Sequence, residues 1–90
     1  MEIILSDKVK SKLRGLRVKN AQLTRKVYKQ LDLFMTNPHH PSLRLHKLVG
    51  NLGDSWSISV DRSTRMVYTL TPEGAAYFYK LGTHDEVYQK

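Results

Sequence analysis

The chain has 90 residues, enough for one small domain with a single hydrophobic core, and its lack of cysteine excludes disulfides and thiolate metal sites. Fifteen Lys and Arg against eight Asp and Glu leave a formal net charge of +7. So strong a positive charge on a small surface favours phosphates or acidic proteins as partners.

The first part of the chain predicts a short strand followed by two helices. The stretch EIIL (residues 2–5) is typical of a buried strand. Ser6 suits the N-cap of a first helix and Asn20 that of a second. Pro38 and Pro41, in the sequence TNPHHP, cannot continue the second helix. The apolar residues that recur at helical spacing are Val9, Leu13 and Leu16 in the first helix and Leu23, Val27, Leu31 and Phe34 in the second.

After Pro41 the apolar residues alternate with polar ones, which predicts strands. Four segments show this pattern: SLRLHKL, SWSISVD, RMVYTL and AAYFYKL. The links VGNLGD, DRST and TPEG contain the residues that hairpin turns favour. We therefore predict an α+β single domain over residues 1–90. Its elements follow the order β-α-α-β-β-β-β, with an antiparallel sheet and the two N-terminal helices packed on one face.

The alternation also assigns side chains to the two faces of the sheet. The face toward the helices should receive the apolar sets that include Trp56, Met66, Tyr77 and Tyr79. The opposite face, called the second face below, should expose Arg44, His46, Ser57, Ser59, Arg65, Thr69 and Lys80, with Val67 and Phe78 among them. A register shift of one residue would reverse this assignment. A face that carries a histidine and three cations suits the binding of phosphate.

The N-terminal sequence MEIILSDKVK has only three consecutive apolar residues. That is too few for a signal peptide or a membrane-spanning helix, so we expect a soluble, cytoplasmic protein without a membrane partner. The eight acidic residues form no dense cluster, and Asp85 and Glu86 are merely adjacent. His39 and His40 are neighbours without an evident third ligand, so we expect neither a metal nor another cofactor.

The predicted order of elements, together with LRLHKLVGNLGDSWSISV (residues 43–60), RMVY (65–68) and LGTHDEVY (81–88), resembles the RelE/ParE superfamily of toxins from toxin–antitoxin pairs. The resemblance covers nearly the whole chain. The tail is similar to the YafQ branch, in which a Gly-Thr-His turn near the C-terminus supplies a catalytic histidine. The sequence departs from that branch at Ser59, where the branch has histidine and many relatives have arginine, and at Asp61, which is displaced from an acidic residue of the branch.

This resemblance implies a metal-independent endoribonuclease that cleaves messenger RNA, commonly in the ribosomal A site. Such cleavage needs a base for the 2′-hydroxyl, an acid for the departing 5′-oxygen and cations around the phosphate. The resemblance implies that His84 and His46 transfer the protons and that Arg65 and Lys80 stabilise the transition state. The expected RNA-binding residues are Arg44, Lys47, Arg62 and Tyr88.

The resemblance also implies partners. We expect a cognate acidic antitoxin bound to a toxin that is monomeric alone and hetero-oligomeric in the complex, with Val67 and Phe78 as apolar anchors. Nine basic residues and no acidic one lie between Lys8 and Lys29. Such a run is often only a solvated helical face, but it also suits a contact with ribosomal RNA.

Other interpretations remain open at this point. A ParE-like toxin would bind and inhibit DNA gyrase on the same fold without active-site chemistry, and a third possibility is a chain that retains only antitoxin binding. His84 could be a solvated turn residue and His46 an exposed strand residue. Arg65 could simply pair with Asp61 or Asp54.

Overall fold

The order of the elements confirms the prediction and adds one short helix after the last strand. The structure is a computed structural model that describes residues 1–88, so the domain predicted over residues 1–90 includes two residues outside the described part. The elements are β1 (Ile3–Leu5), α1 (Asp7–Lys19), α2 (Ala21–Thr36), β2 (His46–Lys47), β3 (Ser55–Ser59), β4 (Thr64–Leu70), β5 (Ala76–Thr83) and α3 (His84–Tyr88), with 3-10 turns at Pro41–Leu43 and Gly50–Leu52. Every helix in residues 1–88 is too short or too polar to span a membrane.

Both predicted helix caps are present. The hydroxyl of Ser6 accepts a hydrogen bond from the backbone N–H of Val9 at 3.1 Å, and the side-chain oxygen of Asn20 accepts one from Leu23 at the same distance. Each cap satisfies a backbone donor that the first turn of a helix leaves unpaired. The second helix ends at Thr36, before the two prolines, as predicted.

The sheet is mixed, with the order β1-β5-β4-β3-β2. The strands β2 to β5 pair antiparallel to their neighbours, whereas β1 pairs parallel to β5. The expectation of a wholly antiparallel sheet is therefore wrong at this edge. The chain reverses direction three times between β2 and β5, so β5 runs opposite to β2. The strand β1 runs in the same direction as β5, beside which it lies.

The main core lies between the sheet and the helices α1 and α2. Phe34 of α2 is fully buried at its centre, with its ring centroid 5.0 Å from that of Tyr68 and 5.4 Å from that of Phe78. Trp56 stacks on Tyr68 with centroids 5.8 Å apart, and Met66 is fully buried in the same core. The predicted orientation of Trp56 and Met66 toward the helices is confirmed.

A β-bulge in β5 changes the orientation of its aromatic residues. Val67 pairs with Lys80 and Tyr68 pairs with Phe78, which leaves Tyr79 without a partner on β4. Because one extra residue reverses the alternation, Tyr79 and Lys80 both lie on the second face, while Phe78 is fully buried in the main core. The predictions for Phe78 and Tyr79 are therefore wrong. The prediction for Tyr77 is also wrong, because it pairs with Thr69 of the second face.

The predicted strand SLRLHKL is reduced to the two residues of β2. The imidazole Nδ1 of His40 accepts a hydrogen bond from the backbone N–H of Ser42 at 3.1 Å, and Pro41 begins a 3-10 turn there. Arg44 follows that turn in the left-handed conformation with φ 47°. A residue in this conformation cannot continue a strand. Arg44 therefore lies outside the sheet, and the prediction that it is a strand residue is wrong.

Gln30 links α2 to the end of β3. Its side chain is buried, and its amide nitrogen donates to the backbone carbonyl of Ser59 at 2.9 Å and to that of Ser42 at 3.4 Å. These bonds join the helix layer, β3 and the 3-10 turn at Pro41–Leu43.

We expect Gln30→Leu to lower the free energy of unfolding by about 1–3 kcal/mol, because the carbonyl of Ser59 loses this donor inside the protein. Urea unfolding followed by the fluorescence of Trp56 measures the change. The control is Gln22→Leu, at an exposed position of the same helix, where we expect a change within about 0.5 kcal/mol. Equal stabilities of the two variants would contradict the role of Gln30.

Candidate functional site

The second face is covered at its centre by a second apolar cluster. Leu48, Val67 and Val87 are buried there, and three partly buried residues pack against them, namely Leu52, Tyr79 and Tyr88. Val67 is fully buried, so the prediction that it is an exposed apolar anchor is wrong. The cover comes from α3, whose Val87 is buried against the sheet. The accessible part of this face therefore lies around α3.

Helix α3 begins with a capping box. The carboxylate of Glu86 accepts a hydrogen bond from the backbone N–H of Thr83 at 2.8 Å, and the hydroxyl of Thr83 accepts one from the backbone N–H of Glu86 at 3.3 Å. The bond from Thr83, together with the positive charge of Lys12, lowers the pKa of the Glu86 carboxyl. A helix of five residues is not stable alone, so such contacts hold it in place.

His84 is the first residue of α3 and lies largely in solvent. Its side chain is 67% exposed. Its ring meets the ring of Tyr88 edge to face, with centroids 4.4 Å apart, because residues four apart lie on the same side of a helix. Its Nδ1 also lies 3.7 Å from a carboxylate oxygen of Asp85. The imidazole is therefore oriented by neighbours and still accessible to a ligand.

Tyr88 connects His84 with β3 and β2. Its hydroxyl donates a hydrogen bond of 2.9 Å to the hydroxyl of Ser57, and Ser57 is the cross-strand partner of His46. His46 is exposed at the edge of the sheet. Four side chains thus follow one another across the second face, and we call them the histidine row: His84, Tyr88, Ser57 and His46.

Lys80 lies beneath α3. Its ammonium donates a hydrogen bond of 3.0 Å to the backbone carbonyl of Val87, and its position on β5 is opposite Val67. The predicted cation therefore stands on the same face as the histidine row and also anchors the end of α3.

Three arginines surround a separate cavity of about 330 Å³, which we call the arginine pocket. Besides Arg44, Arg62 and Arg65, its lining contains one acidic residue and three others: Asp61, Ser42, Ser59 and Val60. The Nη1 of Arg65 donates to the backbone carbonyls of Asp61 at 2.7 Å, Thr64 at 3.0 Å and Arg62 at 3.2 Å. Arg65 thus contacts Asp61 through its backbone carbonyl, whereas the Asp61 carboxylate lies near Lys26.

The turn that holds Arg65 is itself fixed by Asp61. One carboxylate oxygen accepts hydrogen bonds from the backbone N–H groups of Ser63 at 3.0 Å and Thr64 at 2.8 Å, and the other lies 3.8 Å from the ammonium of Lys26. Partial burial alone would raise the pKa of the Asp61 carboxyl, but these bonds and the charge of Lys26 outweigh it and lower the pKa. The carboxylate therefore stabilises the turn between β3 and β4.

Lys47 is separated from the other predicted site residues. It pairs with Trp56 on the face toward the helices, and its ammonium lies over the Trp56 ring, 5.2 Å from the centroid. His46, the residue before it, points to the second face because neighbouring residues of a strand alternate. The structure therefore places Lys47 away from the histidine row.

The histidine row and the arginine pocket meet along β3. Ser57 belongs to the row and Ser59 lines the pocket, so the two are about 7 Å apart along the strand. Thr83 and Glu86 were not singled out from the sequence, although the pattern Thr-x-x-Glu is a known signal for a helix start. Within residues 1–88, no group of three or more His, Asp or Glu side chains could hold a metal ion.

The solved structures that match this chain include toxins and toxin–antitoxin complexes. The YoeB/ParE toxin from Agrobacterium tumefaciens matches with a TM-score of 0.78 at 14% sequence identity, over 93% of this chain and 99% of that chain. YafQ from E. coli strain BL21(DE3) matches with a TM-score of 0.77 at 21% identity, over 98% of both chains. A chain of the YoeB–YefM complex from Staphylococcus aureus matches with a TM-score of 0.75 at 19% identity, over 93% of this chain and 97% of that chain.

No protein-family model matches the chain, and no curated protein sequence is similar to it. The likeness therefore lies in the structure. In each comparison the shared fold extends over nearly the full length of both chains. The chain has the fold of the RelE/YafQ-like toxins, as the sequence resemblance predicts.

Proposed function

We propose that the chain is the toxin of a toxin–antitoxin pair and that it cleaves messenger RNA on the ribosome without a metal ion. The observation that carries this proposal is the histidine row, which connects the exposed His84 and His46 through Tyr88 and Ser57. The adjacent arginine pocket adds the positive charge that an RNA backbone requires.

The chemistry is an attack of the 2′-oxygen of one nucleotide on the adjacent phosphate. One histidine of the row removes the 2′-hydroxyl proton, the O2′–P bond forms and the P–O5′ bond breaks. The other histidine gives a proton to the departing 5′-oxygen, so a cyclic phosphate and a free 5′-hydroxyl result. Histidine suits both roles because it titrates near neutrality.

Positive charge balances the phosphate during this step. Lys80 contributes an ammonium group beneath α3, and Arg65 contributes a guanidinium group in the arginine pocket. The turn carbonyls bind Nη1 of Arg65, whereas the planar guanidinium carries further N–H donors on its other nitrogens. Arg44 and Arg62 bind neighbouring phosphates in the same pocket. Tyr88 contributes its ring, which orients His84 and offers a surface for a base.

The proposed protein partner is an acidic antitoxin that neutralises the toxin. The YoeB–YefM and DinJ–YafQ complexes show that proteins of this fold assemble with a second protein. The basic residues of α1 and α2 would speed the encounter with an acidic partner and also suit a contact with ribosomal RNA. An inhibitor of DNA gyrase on the same fold would not require the histidine row, so we do not favour that alternative.

We expect His84→Ala to reduce RNA cleavage by about 100-fold or more, because the reaction loses one proton-transfer group. The fold should remain, since the side chain lies largely in solvent. Primer extension on a translated message measures the cleavage. The matched control is His39→Ala, at an exposed position in the loop after α2, which should cleave at the wild-type rate. Wild-type cleavage by the His84 variant would refute the assignment.

The pH dependence of cleavage tests His46. If the two histidines act as acid and base, the rate of the wild type should follow a bell-shaped profile with one limb from each. His46→Gln should lose one limb and reduce the maximal rate by about 100-fold or more. A variant that keeps the full rate and both limbs would show that His46 is only an exposed strand residue.

The salt dependence of RNA binding tests the arginine pocket. For a short single-stranded RNA, we expect Arg62→Gln to reduce the slope of log affinity against log salt by about 0.7, the value for one phosphate contact. Lys47→Gln removes the same charge on the opposite face and should keep the wild-type slope. Fluorescence anisotropy over a salt series measures both. Equal slopes for the two variants would contradict a pocket that binds phosphate.

A further inference from the structure

The position of His84 depends on the position of α3. The ring contacts only residues of its own helix in the described contacts, namely Tyr88 and Asp85. The C-terminal end of α3 is attached to the sheet by the buried Val87, by the bond from Lys80 and by the bond of Tyr88 to Ser57. These contacts involve Val87 and Tyr88 and hold the C-terminal end of α3. The first turn, which carries His84, needs other contacts to hold it.

Glu86 fixes that first turn. Its carboxylate accepts the N–H of Thr83, the residue before His84, and its backbone N–H donates to the Thr83 hydroxyl. Its second carboxylate oxygen lies 3.7 Å from the ammonium of Lys12 on α1. Glu86 thus connects the start of α3 to α1, which belongs to the helix layer on the other side of β5.

Gly82 makes this connection sterically possible. A Cβ at this position would lie 2.8 Å from a carboxylate oxygen of Glu86 and 3.0 Å from the ammonium of Lys12. Any side chain at residue 82 would therefore displace the Lys12–Glu86 pair from the strand edge. The strand, the pair and the capping box occupy one small space between α1 and α3, next to a cavity of about 410 Å³.

We propose that Glu86 is a positioning residue for His84, held by Thr83 and Lys12. It sets the orientation of the first turn of α3 and thereby the place of the imidazole beside Tyr88. The inference deepens the proposed function and rests on it for its catalytic meaning. Its geometric part, that Glu86 orients the His84 ring, stands apart from the reaction.

The geometric part is measured by NMR on the whole chain. The His84 ring protons lie near the ring of Tyr88, so nuclear Overhauser contacts between the two rings and a ring-current shift should appear in the wild type. We expect Glu86→Ala to remove these contacts, because both the capping bond and the Lys12 pair are lost. Glu86→Gln keeps an oxygen that accepts the Thr83 N–H and should keep part of them.

Two further pairs of variants, at Lys12 and at Thr83, separate the contributions of these partners. Lys12→Met removes the ion pair and should weaken the ring contacts, whereas Lys12→Arg keeps a cation and should restore them. Thr83→Val removes the hydroxyl and should weaken the contacts, and Thr83→Ser should restore them. The control is Glu73→Ala, at an exposed turn position, which removes one carboxylate and should change neither the contacts nor the cleavage rate.

Cleavage kinetics test the catalytic part. A displacement of about 1 Å can reduce a rate about 100-fold, so Glu86→Ala should lower kcat by about 10- to 100-fold with KM nearly unchanged. Urea unfolding of the same variants shows whether the core has remained intact. If Glu86→Ala destabilises the core, the milder Glu86→Gln and Lys12→Met variants decide the question.

The outcomes are distinguishable. Wild-type ring contacts in Glu86→Ala would overturn the proposal, and so would lost contacts with an unchanged cleavage rate, because the position of His84 would then not matter. If the wild type itself cleaves no RNA, the proposed function fails, while the NMR comparison still decides whether Glu86 orients His84. Lost contacts with a lower kcat, and their recovery in Lys12→Arg, would support the proposal.

Discussion

The β-bulge at Tyr79 is the constraint on which the second face depends. Before the bulge, Ala76 and Phe78 face the helices; after it, Leu81 does. The extra residue places two large side chains, Tyr79 and Lys80, next to each other on the second face. A regular strand could bury Phe78 or Leu81 against the helices but not both, because the two are an odd number of residues apart. The bulge therefore allows both residues to be buried in the main core. It also places Tyr79 and Lys80 on the second face, where they contact α3.

The two sides of the sheet meet at β3. Its large residues, Trp56 and Ile58, pack toward the helices, while its three serines point to the second face and are buried there. Small side chains let the cover come close, and Ser57 receives the hydroxyl of Tyr88. Ser59 lines the arginine pocket, and its backbone carbonyl accepts a hydrogen bond from Gln30 of the helix layer. A change in the packing of α2 would thus reach both parts of the candidate site through one strand.

Local features of the fold could be predicted from the sequence, because their causes are local. The caps at Ser6 and Asn20, the end of α2 before Pro38 and the orientation of Trp56 toward the helices depend on neighbouring residues or on regular alternation. The bulge and the parallel pairing of β1 could not be predicted in this way, because both depend on partners distant in the chain. The strand β2 begins later than predicted because Arg44 adopts the left-handed conformation, which periodicity does not reveal.

The candidate site divides along the same line. The faces of His46 and Arg65 were predictable from alternation, because the bulge lies outside the strands that carry them. In β5 the predicted alternation holds for Lys80 and Leu81, which follow the bulge, and fails for Tyr77 and Phe78, which precede it. The separation of Lys47 from His46 also follows from alternation. The place of α3 does not, because a helix of five residues is held by Lys12, Lys80 and the apolar cluster rather than by its own propensity.

The parallel pair of β1 and β5 has a consequence for the order in which the chain folds. Ile3 has its partner at Ala76, so β1 has no neighbour in the described sheet until β5 has been synthesised. The hairpin of α1 and α2 can form early, but its core residues, such as Phe34, need Phe78 to complete their packing. Pairings so distant in sequence close late, because the entropy of a long loop opposes them. Helix α3 follows β5 directly and packs on the sheet, so His84 can reach its place only after β5 has been synthesised. A nascent chain would therefore acquire the candidate site only after β5 and α3 have been synthesised.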